Sequence, residues 1–157
     1  MNAEEIAEAI KQLFRNQNLS CNECLEPRNF QFKFVNNLNP KEQSLLPNAI
    51  EKLVNNGILG RNLVLTEEGE REIYSTDETT AIRRIREDIM AKFREIKAKI
   101  GWTLPPRWLE LYYPQNLNPI EKRFLNGAIK SLIEDGFLEV NKVGALALTE
   151  RGYNYIY

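Results

Sequence analysis

Ala49-Ile50-Glu51-Lys52-Leu53-Val54-Asn55-Asn56-Gly57-Ile58-Leu59 comes back as Ala128-Ile129-Lys130-Ser131-Leu132-Ile133-Glu134-Asp135-Gly136-Phe137-Leu138. The apolar residues and the glycine coincide, and the polar residues between them differ. Upstream, Leu38-Asn39-Pro40 meets Leu117-Asn118-Pro119, and Ile6, Ile10, Phe14 and Arg15 meet Ile85, Ile89, Phe93 and Arg94, all at an offset of 79 residues. Downstream, after a four-residue insertion, Leu65-Thr66-Glu67 and Gly69 meet Leu148-Thr149-Glu150 and Gly152. A repeat of this length sets the architecture before any single element does. It predicts two small domains, residues 1–74 and 81–157, joined by 75–80. It also supplies an internal control: what both copies keep serves the fold, and what they do not share is where function is sought.

Each copy predicts the same elements. A first helix follows from Ile6, Ile10, Leu13 and Phe14, and from Ile82, Ile85, Ile89, Phe93, Ile96 and Ile100. The second series predicts a long helix over 82–100 with an apolar arc of roughly 80°, narrow enough to resemble a coiled-coil seam; it serves core packing within the copy, or else a homodimer or a spine between the two copies. Residues 29–35 and 108–114 are open between strand and short helix. Phe30, Phe32 and Phe34 alternate, as do Leu109, Leu111 and Tyr113, yet Phe30/Phe34 and Leu109/Tyr113 also share a helix face. Asn39 and Asn118 cap a following helix with Pro40 and Pro119 at its first position, and Gly57 and Gly136 end it. Pro47 predicts a kink or break in the first of these helices. Two apolar runs around residues 60–62 and 141–144 predict a β-hairpin in each copy, and a closing helix capped by Thr66 or Thr149 follows. The fold class is mainly α with small β-hairpins.

The repeated Ala-Ile-x-x-Leu-x-x-x-Gly segment, the hairpin after it and the Leu-Thr-Glu-x-Gly end resemble the winged helix-turn-helix superfamily, in particular its MarR- and PadR-like branch. The resemblance implies two tandem winged-helix domains. It implies that helices 40–56 and 119–135 enter the DNA major groove and that wings at 60–62 and 139–145 touch a phosphate or the minor groove.

The chain of 157 residues has no histidine and two cysteines. Without histidine, Ser-His-Asp and Cys-His catalysis and helical His-Glu-x-x-His zinc sites are absent. No glycine-rich phosphate loop occurs. The expectation is a non-enzymatic protein without a cofactor. No run of 18 apolar residues suggests a membrane span, and Met1-Asn2-Ala3-Glu4-Glu5 lacks the features of a signal peptide, so a cytoplasmic setting is expected. Cys21-Asn22-Glu23-Cys24 has metal-ligand spacing but lacks the further ligands a zinc site needs within one chain. Two free thiols are expected, with an intermolecular metal or a redox role as the alternative, and Ser20 and Glu23 read as a capping box.

Charge separates the copies. Residues 1–74 carry 8 basic and 11 acidic groups, and residues 81–157 carry 13 and 9. A polyanion would therefore meet the second copy. DNA affinity calls for Lys or Arg on phosphate and Arg, Asn or Gln on base edges. The candidates are Lys122, Arg123, Asn126 and Lys130 on the helix, with Ile120, Gly127 and Ser131 also read as outward, Lys142 on the second wing and Arg61 on the first. In copy one the outward positions are Lys41, Ser44, Asn48, Glu51 and Lys52. Arg83, Arg86, Arg94 and Lys97, with Lys92 and Lys99 opposite, either cover the apolar arc of their helix or follow phosphates. Arg28 and Arg107, kept in both copies, suggest a structural ion pair or carbonyl contact. Trp102, Arg107 and Trp108 either pack between the two copies or form the alternative candidate, a protein-binding patch. The two functional readings are thus a DNA-binding transcription regulator and a protein-interaction adaptor on the same fold.

Overall fold

A computed structural model describes all 157 residues, Met1–Tyr157. The chain is mainly helical, with one small antiparallel sheet of two strands. It divides into two compact units, Met1–Ser75 and Thr76–Tyr157. Residues 76–80 belong to the second unit. Asp77 caps its first helix by accepting from the Thr80 N–H, and the Thr76 hydroxyl accepts from the Asn118 amide.

In unit 1, α1 (Ala3–Asn16) is capped by Asn2 and buries Ile6, Ile10 and Phe14 completely. A turn carries the chain to α2 (Pro27–Lys33), and α3 (Pro40–Asn55) and α4 (Glu67–Tyr74) complete the unit. α1 packs against α3 and α4. In unit 2, α5 (Glu78–Glu95) packs against α6 (Pro119–Glu134) and α7 (Glu150–Ile156) in the same order. Between α5 and α6 a π-helical turn, Trp108–Tyr112, takes the place of α2. β1 (Leu138–Val140) and β2 (Leu146–Leu148) pair with Leu138 opposite Leu148 and Val140 opposite Leu146.

The open choice at 29–35 and 108–114 resolves to helical turns. Phe30 and Phe34 stack 5.4 Å apart on one face of α2, leaving Phe32 68% exposed. The apparent alternation was a helix face with an exposed aromatic residue between its members.

Both capping boxes form. Asn39 and Asn118 accept from the N–H groups of Glu42 and Glu121, and those carboxylates accept in return from the cap N–H groups. Each of the four long helices then ends the same way. A left-handed residue follows it, and the next N–H bonds five residues back: Leu19 to Phe14, Ile58 to Leu53, Ala98 to Phe93 and Phe137 to Leu132, at 3.0–3.1 Å. This is the Schellman closure. Gly57 and Gly136 supply two of the left-handed residues, and Asn18 and Lys97 supply the others at φ 54°.

The closing helices explain the Leu-Thr-Glu-x-Gly ends. Thr66 and Thr149 accept from the N–H groups of Gly69 and Gly152 and donate to carbonyls at the end of the preceding helix. That docks each helix so closely that a Cβ on Gly69 would lie 2.1 Å from the Ile58 carbonyl oxygen, and one on Gly152 2.2 Å from that of Phe137. Glycine is required there by space alone.

Several expectations are corrected. The helix predicted over 82–100 ends at Glu95, because the Schellman turn at Lys97 redirects the chain. Of the roles left open for its seam, Ile85, Ile89 and Phe93 take the one of packing in unit 2's own core. Of the kink or break expected at Pro47, the break does not occur: α3 runs through it from Pro40 to Asn55. Pro47 is exposed, so the Gln43 carbonyl it leaves unbonded can take water. No hairpin forms in unit 1. Asn62 and Leu63 both take left-handed values, and the tight turn Arg61–Leu63 leaves only a single Leu59–Leu65 bridge. Ser20 and Glu23 do bond, at 2.9 Å, but they close a turn rather than start a helix.

Candidate functional site

At 100° per residue, Lys122, Arg123, Asn126 and Lys130 occupy about 100° of the circumference of α6. All four are exposed. The opposite face supplies Ala128 and Leu132 to the core. α6 is thus held on the unit by its apolar face while it presents cations and an amide to solvent. Arg123 sends its Nε back to the Pro119 carbonyl at 3.4 Å. Lys130 lies 4.0 Å from Glu134, with both side chains well exposed, so the pairing is weak.

Ile120, read as outward, is instead buried at 5%. Residues 119–121 form the first turn of α6, and Arg84 of α5 bonds Glu121 across it at 2.6 Å. The carboxylate of Glu121 is itself buried, satisfied by this arginine and by the Asn118 N–H. The start of α6 is therefore anchored, and its exposed cationic face begins at Lys122.

Lys142 stands on the turn between β1 and β2. Asn141 fixes that turn. Its side-chain oxygen accepts from the N–H groups of Val143 and Ala145 at 3.0 and 2.9 Å, and Gly144 takes φ 81°. Both neighbouring side chains, Lys142 and Val143, are exposed. The hairpin follows α6 directly. Behind it, β2 meets a third extended segment: the Leu148 N–H bonds the Trp102 carbonyl at 2.9 Å, and Thr103 bridges Ala147. Unit 1 has the corresponding contact between Cys24 and Val64.

Unit 1 presents a different surface at the same positions. Gln43, Ser44, Pro47 and Glu51 stand where unit 2 has Lys122, Arg123, Asn126 and Lys130. Lys41, Ser44, Asn48, Glu51 and Lys52 are exposed as expected. Arg61 is exposed on its tight turn, without a hairpin to carry it outward.

The other basic residues of α5 mostly have structural work. Arg86 bonds Asp135 at 2.5 Å and also donates to the Ser131 hydroxyl, and Arg94 donates to the Ile156 carbonyl at 2.8 Å. Lys92 lies over the Trp108 ring, 5.3 Å from its centre. Trp108, in turn, stacks on Tyr113 at 4.9 Å and packs against unit 2's core. Burial, and then a 2.7 Å hydrogen bond to Asp88, push the Tyr113 hydroxyl far above its ordinary pKa. Trp102 is 45% exposed and Arg107 is exposed, so the proposed tryptophan patch is divided between a core residue and two surface ones.

Arg28 and Arg107 form no ion pair and no carbonyl bond; both are exposed at helical starts. The retained arginines that make such contacts are Arg15 and Arg94. Arg15 Nε donates to the Ile73 carbonyl at 2.9 Å, as Arg94 does to Ile156. Beside them, the hydroxyls of Tyr74 and Tyr157 donate to the carbonyls of Leu19 and Ala98. All four side chains recur in the repeat, which was the signal available to find them.

Cys21 and Cys24 form no disulfide; Cys21 is partly buried and Cys24 is exposed. No group of three or more His, Cys, Asp or Glu side chains is gathered in a way that could hold a metal ion. No helix is long and apolar enough to cross a membrane. Compared with known protein families, with characterised proteins and with solved structures, the chain finds no match.

Proposed function

We propose that the chain is a non-enzymatic tandem winged-helix protein that binds double-stranded DNA as a transcription regulator, with unit 2 as the contacting surface. The observation that carries this reading is the single cationic face of α6, followed immediately by a fixed hairpin with Lys142 at its turn. The element order also supports it: a first helix, an extended contact, a short helical turn, a capped helix, a hairpin and a closing helix. In this arrangement Lys122, Arg123, Lys130 and Lys142 neutralise phosphates, and Asn126 faces base edges.

The test is a fluorescence-anisotropy titration of a mixed-sequence duplex at low salt, with wild type and R123E/K130E. Binding by wild type and its loss in the double variant are expected. Absence of wild-type binding would overturn the reading. Equal binding by both proteins would assign it to another surface.

A protein-interaction adaptor is the second reading. It is favoured by the exposed apolar residues Ile100, Trp102, Leu111 and Tyr112 of unit 2 and by the acidic balance of unit 1. It predicts a partner captured by wild type and lost by W102A, in a chain that leaves duplex DNA unbound.

A further inference from the structure

Unit 2 has a groove of about 530 Å³ between α5, Phe137 and Tyr155. Ile82, Met90, Leu132, Phe137 and Tyr155 give it apolar walls. That volume falls in the range of small-molecule sites. Arg86 also lines it, with its charge already met by Asp135. Glu78, Arg83 and Glu87 also line it, all exposed; none makes a side-chain hydrogen bond or a close ion pair, and the charge of Arg83 is shared with Asp77, whose carboxyl it helps to hold below the usual range. The groove therefore carries exposed charges of both signs beside an apolar interior.

The other copy shows that the fold has no need of this arrangement. Met90 and Tyr155 correspond to Lys11 and Glu72, which bond each other at 3.2 Å in unit 1. Lys11 also lies 3.7 Å from Glu8, the counterpart of Glu87, and Glu4, the counterpart of Arg83, pairs with Lys52 at 3.6 Å. Ion pairs thus cover in unit 1 the face that is open, aromatic and doubly charged in unit 2. Phe137 replaces Ile58 and is held between the Tyr155 ring at 4.6 Å and the Arg151 guanidinium at 5.4 Å.

We propose that this groove binds a free amino acid with an aromatic or long apolar side chain. The side chain lies against Met90, Phe137 and Tyr155, the carboxylate meets Arg83, and the ammonium group meets Glu87 or Glu78. An anion alone would face the two glutamates, and a cation alone would face Arg83. Only a ligand carrying both charges next to an apolar body matches the whole site.

The test is a nuclear-magnetic-resonance titration of the full chain with three probes: L-phenylalanine, hydrocinnamate, which keeps only the carboxylate, and phenethylamine, which keeps only the ammonium. L-phenylalanine is expected to shift the resonances of Ile82 and Met90 and to bind at least about tenfold more tightly than either analogue, about 1.4 kcal/mol. R83Q should weaken L-phenylalanine by about tenfold and leave phenethylamine unchanged, as expected when one charge contact is lost. M90K/Y155E, which transplants the ion pair of unit 1, should abolish binding with the helical circular-dichroism signal retained. If that pair unfolds the unit, E87Q, on an exposed residue, serves as the second variant and should selectively weaken L-phenylalanine and phenethylamine. No perturbation by L-phenylalanine at millimolar concentration, equal affinity for all three probes, or an unaltered response in R83Q would overturn the proposal.

Discussion

α3 and α6 have the same length, the same capping box, the same first proline and the same closing glycine, yet their outer faces have little in common. α6 exposes Lys122, Arg123, Asn126 and Lys130 where α3 has Gln43, Ser44, Pro47 and Glu51. Shared inward residues follow from the need to bury a core. Differing outward residues are free of that need, and the cations are gathered on one helix of the two. The hairpin repeats the lesson. The four residues that unit 2 adds produce a strand pair with Lys142 at its turn, whereas the shorter loop of unit 1 collapses into a tight turn.

The sharpest way to break this comparison is to reverse charges on each face in turn. R123E/K130E should weaken duplex binding by about a hundredfold, since each change replaces attraction to phosphate with repulsion. K41E/K52E on α3 should leave affinity within about twofold. Equal losses from the two pairs, measured by anisotropy, would remove the functional distinction between the units.

Retained contacts should behave alike in the two units. Gly152→Ala and Gly69→Ala each force a methyl group into a carbonyl, and each should cost about 2–3 kcal/mol in urea unfolding. A cost confined to one unit would show that the closing helices are not docked equivalently. Arg94→Met and Arg15→Met remove a hydrogen bond to a carbonyl and should each cost about 1–2 kcal/mol by the same measurement.

A smaller effect is expected at Lys97, whose left-handed backbone strains any residue with a Cβ. Lys97→Gly should raise the stability of unit 2 by about 1 kcal/mol, whereas glycine already fills the equivalent place after α6. Alkaline pH should act on Tyr74. Burial, reinforced by Glu70 and Glu23, pushes its hydroxyl up to about 12. The folded state holds this proton more tightly than the unfolded chain, whose value is about 10. The contribution is therefore complete below pH 10 and lost as pH rises to about 12. The stability of unit 1 across that window should fall for wild type and fall less in Tyr74→Phe, while unit 2, where Tyr113 is raised in the same direction, keeps its own decline in both proteins.

Features with their own local chemistry were legible in the sequence. Asn39-Pro40 and Asn118-Pro119 announce caps, and Gly57 and Gly136 announce helix ends. Asn18 and Lys97 close α1 and α5 by the same geometry without a glycine to mark it, so the apolar period runs on to Ile100 and predicts a helix longer than the one that forms. Pro47 advertised a break that its exposed side of α3 makes unnecessary. Arg86 and Arg94 looked like members of a basic flank because Asp135 and the Ile156 carbonyl, which occupy them, lie more than 40 residues away in sequence. On α6 the exposed cations were readable from periodicity, but the burial of Ile120 was not: it lies in the first turn of α6, next to Glu121, which Arg84 of α5 bonds across a separation of 37 residues.

The central claim is that α6 and its hairpin meet phosphate. The most direct measurement is the affinity for a mixed-sequence duplex at two salt concentrations. With Lys122, Arg123, Lys130 and Lys142 each neutralising one phosphate, log K against log salt should fall with a slope of about −3 to −4. A duplex affinity that is absent at low salt, or one that does not change with salt, would contradict the account.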